Sequence, residues 1–128
     1  MNDLIKNIDK LDKIFDKQKE LQGKMPEKVP FGEVSDWHWQ EAINQFILAG
    51  MIELAEAAQV TQWKNPERVK FGWKRTQQLK LEKFKEELVD CIHFVVNLCL
   101  IAGMDANEVF DRYMNKNKVN VKRQEDEY

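Results

Sequence analysis

Four acidic residues are notable because each falls in an otherwise apolar stretch of the sequence. Glu53 and Glu56 are three positions apart, and so are Glu87 and Asp90. A helix advances ~100° per residue, so each pair presents its carboxylates near one side of a helix. Four carboxylates on two apolar helix faces repel one another and lose hydration. Either a cation compensates them or some of them are protonated.

Magnesium is the cation that this set of acids favours. No lysine or arginine occurs between Gln40 and Gln62 or between Glu86 and Ala102, which disfavours the alternative that Glu53 and Glu87 pair with basic residues in the core. Carboxylate oxygens suit Mg²⁺, a hard ion that keeps several waters and accepts phosphate oxygens. The four acids therefore predict a site for a nucleotide polyphosphate.

A di-iron centre of the ferritin type is a second alternative, because Asp90 and His93 have the required interval. Such centres use two Glu-x-x-His pairs, and this sequence contains one acid-x-x-His. His93 lies closer to Val89 and Val96 on the helix than to Asp90, which is more typical of a core histidine.

Composition narrows the class of protein. The chain has 128 residues, 43% of them hydrophobic and 33% charged, which predicts one soluble globular domain over residues 1–128. A net charge of −2 argues against a nucleic acid polymer as partner. The N-terminus lacks a secretory pattern, the most apolar stretch is too short for a membrane span, and Cys91 and Cys99 are expected to be reduced. We expect a cytoplasmic protein without a membrane partner.

The helices that must position the acids follow from apolar spacing. Five glycines and three prolines favour few, long helices. The pattern predicts one helix over residues 3–25 opened by Asp3, one from Asp36 to about Trp63, one from about Leu79 to Ala102, and one opened by Asp105. Gly103 is expected to end the third helix, and Glu108 stands at capping-box spacing from Asp105. Residues 64–85 read as a basic, solvated connection.

The resulting fold class is an all-α bundle of four to five helices. Residues 46–58 are apolar nearly all round the second helix, which predicts a central, buried position. The second and third helices carry more apolar surface than one small bundle covers, so we expect a homodimer. Residues 115–128 are polar and are expected to form a flexible tail that orders when nucleotide binds.

These residues resemble a known family, the all-α nucleotide pyrophosphatases that include the dimeric dUTPases and the MazG-type enzymes. The resemblance starts from Glu53-Leu54-Ala55-Glu56 and Glu87-Leu88-Val89-Asp90, with Cys91-Ile92-His93-Phe94 directly following. It extends to both ends of the chain, through Phe15-x-x-Gln18-x-x-Leu21-Gln22, Trp63-Lys64, and Lys116-x-x-x-Asn120-x-x-Arg123-Gln124. The separation between the two acidic motifs is longer than usual in the family.

The resemblance implies roles for the accessory residues. Gln18 and Gln22 would read the uracil edge, and Trp63 would help to close the base pocket. Lys116, Asn120 and Arg123 would contact the phosphates. Asn97, on the same side of its helix as Asp90, is expected to contact the sugar.

The implied activity is Mg²⁺-dependent hydrolysis of dUTP to dUMP and pyrophosphate, a reaction of nucleotide pool sanitation. Glu53, centred in its apolar stripe, is our candidate for the base that accepts the proton of water. One alternative is the same chemistry on dCTP or a non-standard nucleotide, since only a few amides would set the base. Another is a non-enzymatic helical interaction module whose acids hold a structural cation.

Overall fold

Four helices and no strand occur in the residues that the structure, a computed structural model, describes: 9–24, 37–61, 70 and 80–127, with side chains from Gln40 onward in the second range. The helices are α1 (Lys10–Gly23), α2 (Trp37–Val60), α3 (Leu81–Ile101) and α4 (Ala106–Glu127). The predicted all-α class is confirmed.

Helix α1 begins later than its apolar spacing predicts. Asp9 has an extended backbone, with φ −66° and ψ 119°, and its Oδ1 accepts hydrogen bonds from the Leu11 and Asp12 backbone N–H groups at 2.8 and 3.1 Å. This N-cap satisfies amides that have no partner in the first helical turn. The prediction of one continuous helix over residues 3–25 is therefore wrong, because the backbone is extended at Asp9. Asp3 itself lies outside the described residues.

The turn from α3 to α4 matches its prediction. Gly103 has φ 81°, the Met104 N–H donates to the Cys99 carbonyl, and the Gly103 N–H donates to the Leu100 carbonyl. These two bonds form a Schellman motif, which needs the left-handed conformation that glycine adopts readily. The Glu108 N–H then donates to Asp105 Oδ1 at 2.8 Å and starts α4.

Helix α4 extends through most of the segment that we expected to be a tail. It runs unbroken to Glu127, and its side chains from Phe110 onward are exposed. The flexibility of residues 115–128 and their ordering by nucleotide stay predictions.

The chain divides into two compact units. The first contains residues 1–39 and 96–128, and the second contains residues 40–95. In the first unit, the buried core cluster comprises Phe15, Val96, Leu100 and Ala106, with Leu11, Cys99 and Val109 packed against it. One domain over residues 1–128 stays a prediction.

In the second unit, α2 packs against the first part of α3. The rings of Phe46 and Phe94 lie 6.4 Å apart and are tilted by 42°. Gly50 allows this close packing, because an added Cβ would lie 3.5 Å from Phe94 Cβ. This contact brings together the two helices that carry the acid pairs.

The predicted burial of residues 46–58 is wrong for most of the apolar side chains in this stretch. Leu48 is 58% exposed and Met51 is 60% exposed, and the other exposed members are Ile47, Ile52 and Leu54. Ala57, by contrast, is buried. One face of α2 is enough to pack against α3, which leaves the remaining apolar face of this single copy uncovered.

No single helix in the described ranges has the length and apolar composition of a membrane span. Helices α3 and α4 meet these criteria of length and composition only when taken together, as a pair bent by 105°. Cys91 and Cys99 are both free thiols.

Candidate metal centre and nucleotide site

Three of the four predicted acids converge in the second unit. One carboxylate oxygen from each of Glu53, Glu56 and Glu87 can be chosen such that all three lie within 4.8 Å of one another. Glu53 and Glu87 are half-buried, whereas Glu56 is exposed. The three-residue spacing of the motifs places these groups on the facing sides of α2 and α3.

Asp90, the fourth predicted acid, is exposed and lies outside this group of three. Its charge nevertheless acts on Glu53 and contributes to the raised pKa of that carboxyl. Asp90 is therefore adjacent to the cluster, at its more solvated side.

The electrostatic environment of the cluster changes the pKa of Glu53. Desolvation on partial burial raises its pKa from 4.5 to about 7, helped by the negative charge of Glu56 and a hydrogen bond with Glu87. The charges of Asp90 and Glu87 act in the same direction. The crowding of acids around Glu53 therefore favours the protonated form of its carboxyl.

Two carboxylate oxygens of the cluster lack a partner within the protein and are suited to bind a cation. Oε2 of Glu53 and Oε2 of Glu87 are buried and have no hydrogen-bond partner. Ion pairs of other described acids, such as Lys17 with Glu20 and Arg112 with Glu108, do not involve the cluster. Buried carboxylate oxygens without a partner are costly, and a hard divalent cation would satisfy them.

Cys91 was not among the predicted site residues, although it lies beside the acids. Burial, followed by the charges of Glu53, Asp90 and Glu87, raises the pKa of its thiol. The signal in the sequence was its position four residues after Glu87, one turn along the same helix face. The thiol stays protonated and contributes to the apolar side of the cluster.

The predicted amides lie in the first unit, and all three are buried. Gln18 and Gln22 are 5% and 7% exposed on the same stripe of α1 as Phe15, and Asn97 of α3 is 0% exposed. Neither Oδ1 nor Nδ2 of Asn97 has a hydrogen-bond partner. Each such buried polar group costs about 1–3 kcal/mol of folding free energy when it is left unpaired.

The predicted phosphate ligands lie on α4 and are exposed. Lys116, Asn120 and Arg123 follow one another at intervals of four and three residues, so the helix carries them on one side. Trp63 lies outside the described residues.

The comparison with protein families shows to which family the chain belongs. A family model described as dUTPase matches residues 10–101, which include both acid pairs and the amides of α1 and α3. The chain belongs to this dUTPase family. The resemblance drawn from the sequence motifs is therefore confirmed. Lys116, Asn120 and Arg123 lie beyond the matched residues.

A curated relative extends the comparison. The chain is 48% identical over 46 residues to the dCTP pyrophosphatase of Enterobacteria phage T4, a match that covers 36% of this chain and 27% of the relative. The chain therefore corresponds to about a quarter of that protein's length. No solved structure matches the chain significantly.

Proposed function

We propose that this member of the dUTPase family hydrolyses dUTP to dUMP and pyrophosphate in a Mg²⁺-dependent reaction. The observation that carries the proposal is the convergence of Glu53, Glu56 and Glu87, with two buried oxygens that lack a partner. A site that concentrates uncompensated negative charge binds a polyanion only through cations. Membership of the dUTPase family supports a nucleoside triphosphate as that polyanion.

Glu53, Glu56, Glu87 and Asp90 would hold the metal. When bound, Mg²⁺ supplies polarisation of the phosphate oxygens and lowers the pKa of the attacking water. The half-buried Glu53 and Glu87 lie at the buried side of the site. The exposed Glu56 and Asp90 leave room for waters and phosphate at its open side.

Glu53 is our candidate for the general base. The oxygen of water forms a bond to phosphorus, the bridging bond between the α- and β-phosphates breaks, and pyrophosphate leaves. The water proton passes to a Glu53 carboxylate oxygen. Glu53 suits this role because its carboxyl lies within the acid cluster, so that one oxygen can face the metal while the other accepts the proton and returns it to solvent between turnovers.

The remaining roles are carried over from the family resemblance. Gln18 and Gln22 would contact the base. Asn97 would contact the sugar, a role that its position on the same side of α3 as Asp90 indicates. Lys116 and Arg123, with Asn120 between them, would contact the phosphates and neutralise charge that develops on the leaving group.

A second copy of the chain would cover the apolar side chains that the second unit exposes. On α2 these include Leu48, Met51 and Leu54, and on α3 they include Ile92 at 50% and Val95 at 58% exposure. They recur every three or four residues on each helix, as in a packing interface. We therefore propose a homodimer through this surface, which we call the α2–α3 apolar face.

Pyrophosphate release from a panel of nucleotides tests the activity. The panel comprises dUTP, dCTP, dTTP, dATP and UTP, each with and without Mg²⁺. Magnesium-dependent release from dUTP supports the proposal. Release from dCTP alone favours the second candidate, which the phage T4 relative supports. Metal binding without pyrophosphate release from any nucleotide would indicate an interaction module instead.

A further inference from the structure

Helix α4 carries an apolar surface that is separate from the α2–α3 apolar face. Phe110 is 56% exposed, Met114 is 42% exposed and Val121 is 49% exposed. With Asn117 they follow one another at intervals of four, three and four residues, so they share one side of the helix. We call these four residues the α4 stripe. Val109, which packs against the core of the first unit, lies about 100° around the helix from Phe110, so that core does not cover the stripe.

The spacing of the α4 stripe is that of a coiled-coil seam. Alternating steps of three and four residues average 3.5 residues per turn, which keeps one side of a helix against a partner helix. A single amide within such a seam sets the register of the pair at some cost in stability. Asn117 has this position between Met114 and Val121. The pattern therefore favours another helix with an apolar stripe as the partner.

The charges beside the stripe indicate which helix fits. Asp111 and Lys118 border the same edge of the α4 stripe and are seven residues apart, too far to contact each other along one helix. Both are exposed, and no ion pair joins either of them to another residue in the described ranges. A second copy of α4 that runs in the opposite direction presents the complementary charge at each of these positions.

We propose that α4 pairs with α4 of a second copy of the chain, in an antiparallel contact related by a two-fold axis. Phe110 of each copy packs against Val121 of the other, and Met114 packs beside Asn117 at the centre of the contact. The two Asn117 amides lie on either side of the axis, where each can donate to the other. The same residues thus serve both copies.

The bordering charges favour this direction over a parallel one. In the antiparallel pair, Asp111 of each copy faces Lys118 of the other, which forms two ion pairs. In a parallel pair, the edge that carries these charges would face the opposite edge of the partner helix, where Tyr113 and Asn120 are uncharged. The antiparallel direction alone pairs opposite charges.

The pairing leaves the proposed phosphate contacts of α4 uncovered. Lys116 and Arg123 lie about 130° or more around the helix from the centre of the stripe. The paired segment covers about three helical turns, less than a stable interface of standard size needs. We therefore expect a weaker association than through the α2–α3 apolar face, one that adds a second interface to the proposed homodimer.

Sedimentation tests the pairing in Leu48→Glu, a background in which the α2–α3 apolar face is disabled. We expect this protein to be a monomer at about 1 µM and to associate at about 0.1–1 mM, as suits a small interface. Asp111→Lys and Lys118→Asp, each added singly, should weaken the association about tenfold or more, because like charges then face each other twice. The same variants without Leu48→Glu provide a second series, in which the pairing raises the mass of the wild-type species.

The double variant with Asp111→Lys and Lys118→Asp exchanges the two charges and should restore the association to within about threefold of the background. Restoration identifies a contact between copies, since the two positions do not meet within one helix. Asp126→Lys makes an equal change of net charge on another side of α4 and is the control, which should associate like the background. Circular dichroism verifies that α4 stays helical in every variant.

Three outcomes would overturn the inference. Leu48→Glu that stays monomeric over the whole concentration range would show that no second copy covers the stripe. Association that the single charge reversals leave unchanged contradicts the antiparallel register. Weakening by both single variants without restoration in the double variant contradicts the ion pairs. None of these measurements uses a nucleotide, so the inference and the proposed pyrophosphatase activity stand or fall separately.

Discussion

Glu53 on α2 and Glu87 on α3 place carboxylate oxygens within 4.8 Å of each other, and each residue also has a buried oxygen without a partner. In the absence of a cation this contact is unfavourable, because the two acids share a partly dehydrated space. The same contact favours binding of a divalent cation. Stability of the free protein and affinity for metal should therefore change in opposite directions when these acids are replaced.

Glu87→Gln should stabilise the metal-free protein and weaken metal binding. The amide removes one negative charge next to Glu53 while it keeps the size of the side chain. We expect a higher thermal midpoint in EDTA and loss of the additional stabilisation that millimolar Mg²⁺ gives to the wild type. Glu86→Gln, at an exposed position adjacent in sequence, is the control and should behave like the wild type. A lower midpoint for Glu87→Gln in EDTA would argue against a charge-strained cluster.

The raised pKa of Glu53 predicts how the stability of the metal-free protein depends on pH. Between pH 4.5 and about 7 the folded protein holds the Glu53 proton while the unfolded chain releases it. The free energy of unfolding should therefore fall as pH rises through this window and become independent of this group above it. Denaturant unfolding in EDTA from pH 5 to pH 8 measures the slope.

Glu53→Gln should remove this contribution, since glutamine does not titrate. The variant should lose less stability than the wild type between pH 5 and pH 7.5 and should be the more stable protein at pH 8. Equal pH slopes for the two proteins would contradict the raised pKa. Glu41→Gln, at an exposed position on the same helix, provides the matched control.

The α2–α3 apolar face predicts the oligomeric state. A charge at its centre, Leu48→Glu, should raise the dimer dissociation constant by about 100-fold or more, because association would bury a carboxylate without a partner. Val119→Glu, at a similarly exposed apolar residue of α4, is the control. Sedimentation at micromolar concentration separates monomer from dimer. A wild-type chain that sediments as a monomer, or a Leu48→Glu dimer of unchanged affinity, would rule out this interface.

The cations of α4 should matter for turnover more than for folding. Lys116→Ala and Arg123→Ala change exposed side chains on one side of the helix, so each should alter stability by less than about 0.5 kcal/mol. Each should raise KM for the nucleotide several-fold, because a phosphate contact is lost. Lys118→Ala removes an exposed cation from the other side of α4 and should leave KM unchanged. A similar KM for all three variants would contradict the phosphate role.

The acid cluster was largely predictable because helical periodicity relates sequence spacing directly to side-chain direction. Two acid pairs at three-residue spacing in apolar stretches were sufficient to locate Glu53, Glu56 and Glu87 on facing helices. The same rule identified the end of α3, where Gly103 is followed by a capping aspartate, Asp105. Local chemistry determines these features.

Features that depend on packing were harder to predict. The start of α1 at Lys10 was missed because the apolar spacing continues through Asp9, whereas the backbone there is extended. Burial of α2 was overestimated because an apolar residue such as Met51 shows only that a partner surface is favourable, without showing that it comes from the same chain. The complete burial of Asn97 depends on the residues packed around it, which no local spacing reveals.

The most direct test of the central claim is Mg²⁺-dependent pyrophosphate release from dUTP by the wild-type chain and by Glu53→Gln, with Glu41→Gln as control. We predict release by the wild type and the control in Mg²⁺, none in EDTA, and a kcat at least about 100-fold lower for Glu53→Gln, whose amide cannot accept the proton of water. Release that persists at the wild-type rate in EDTA, or in Glu53→Gln, would contradict the claim that these acids form the catalytic metal centre.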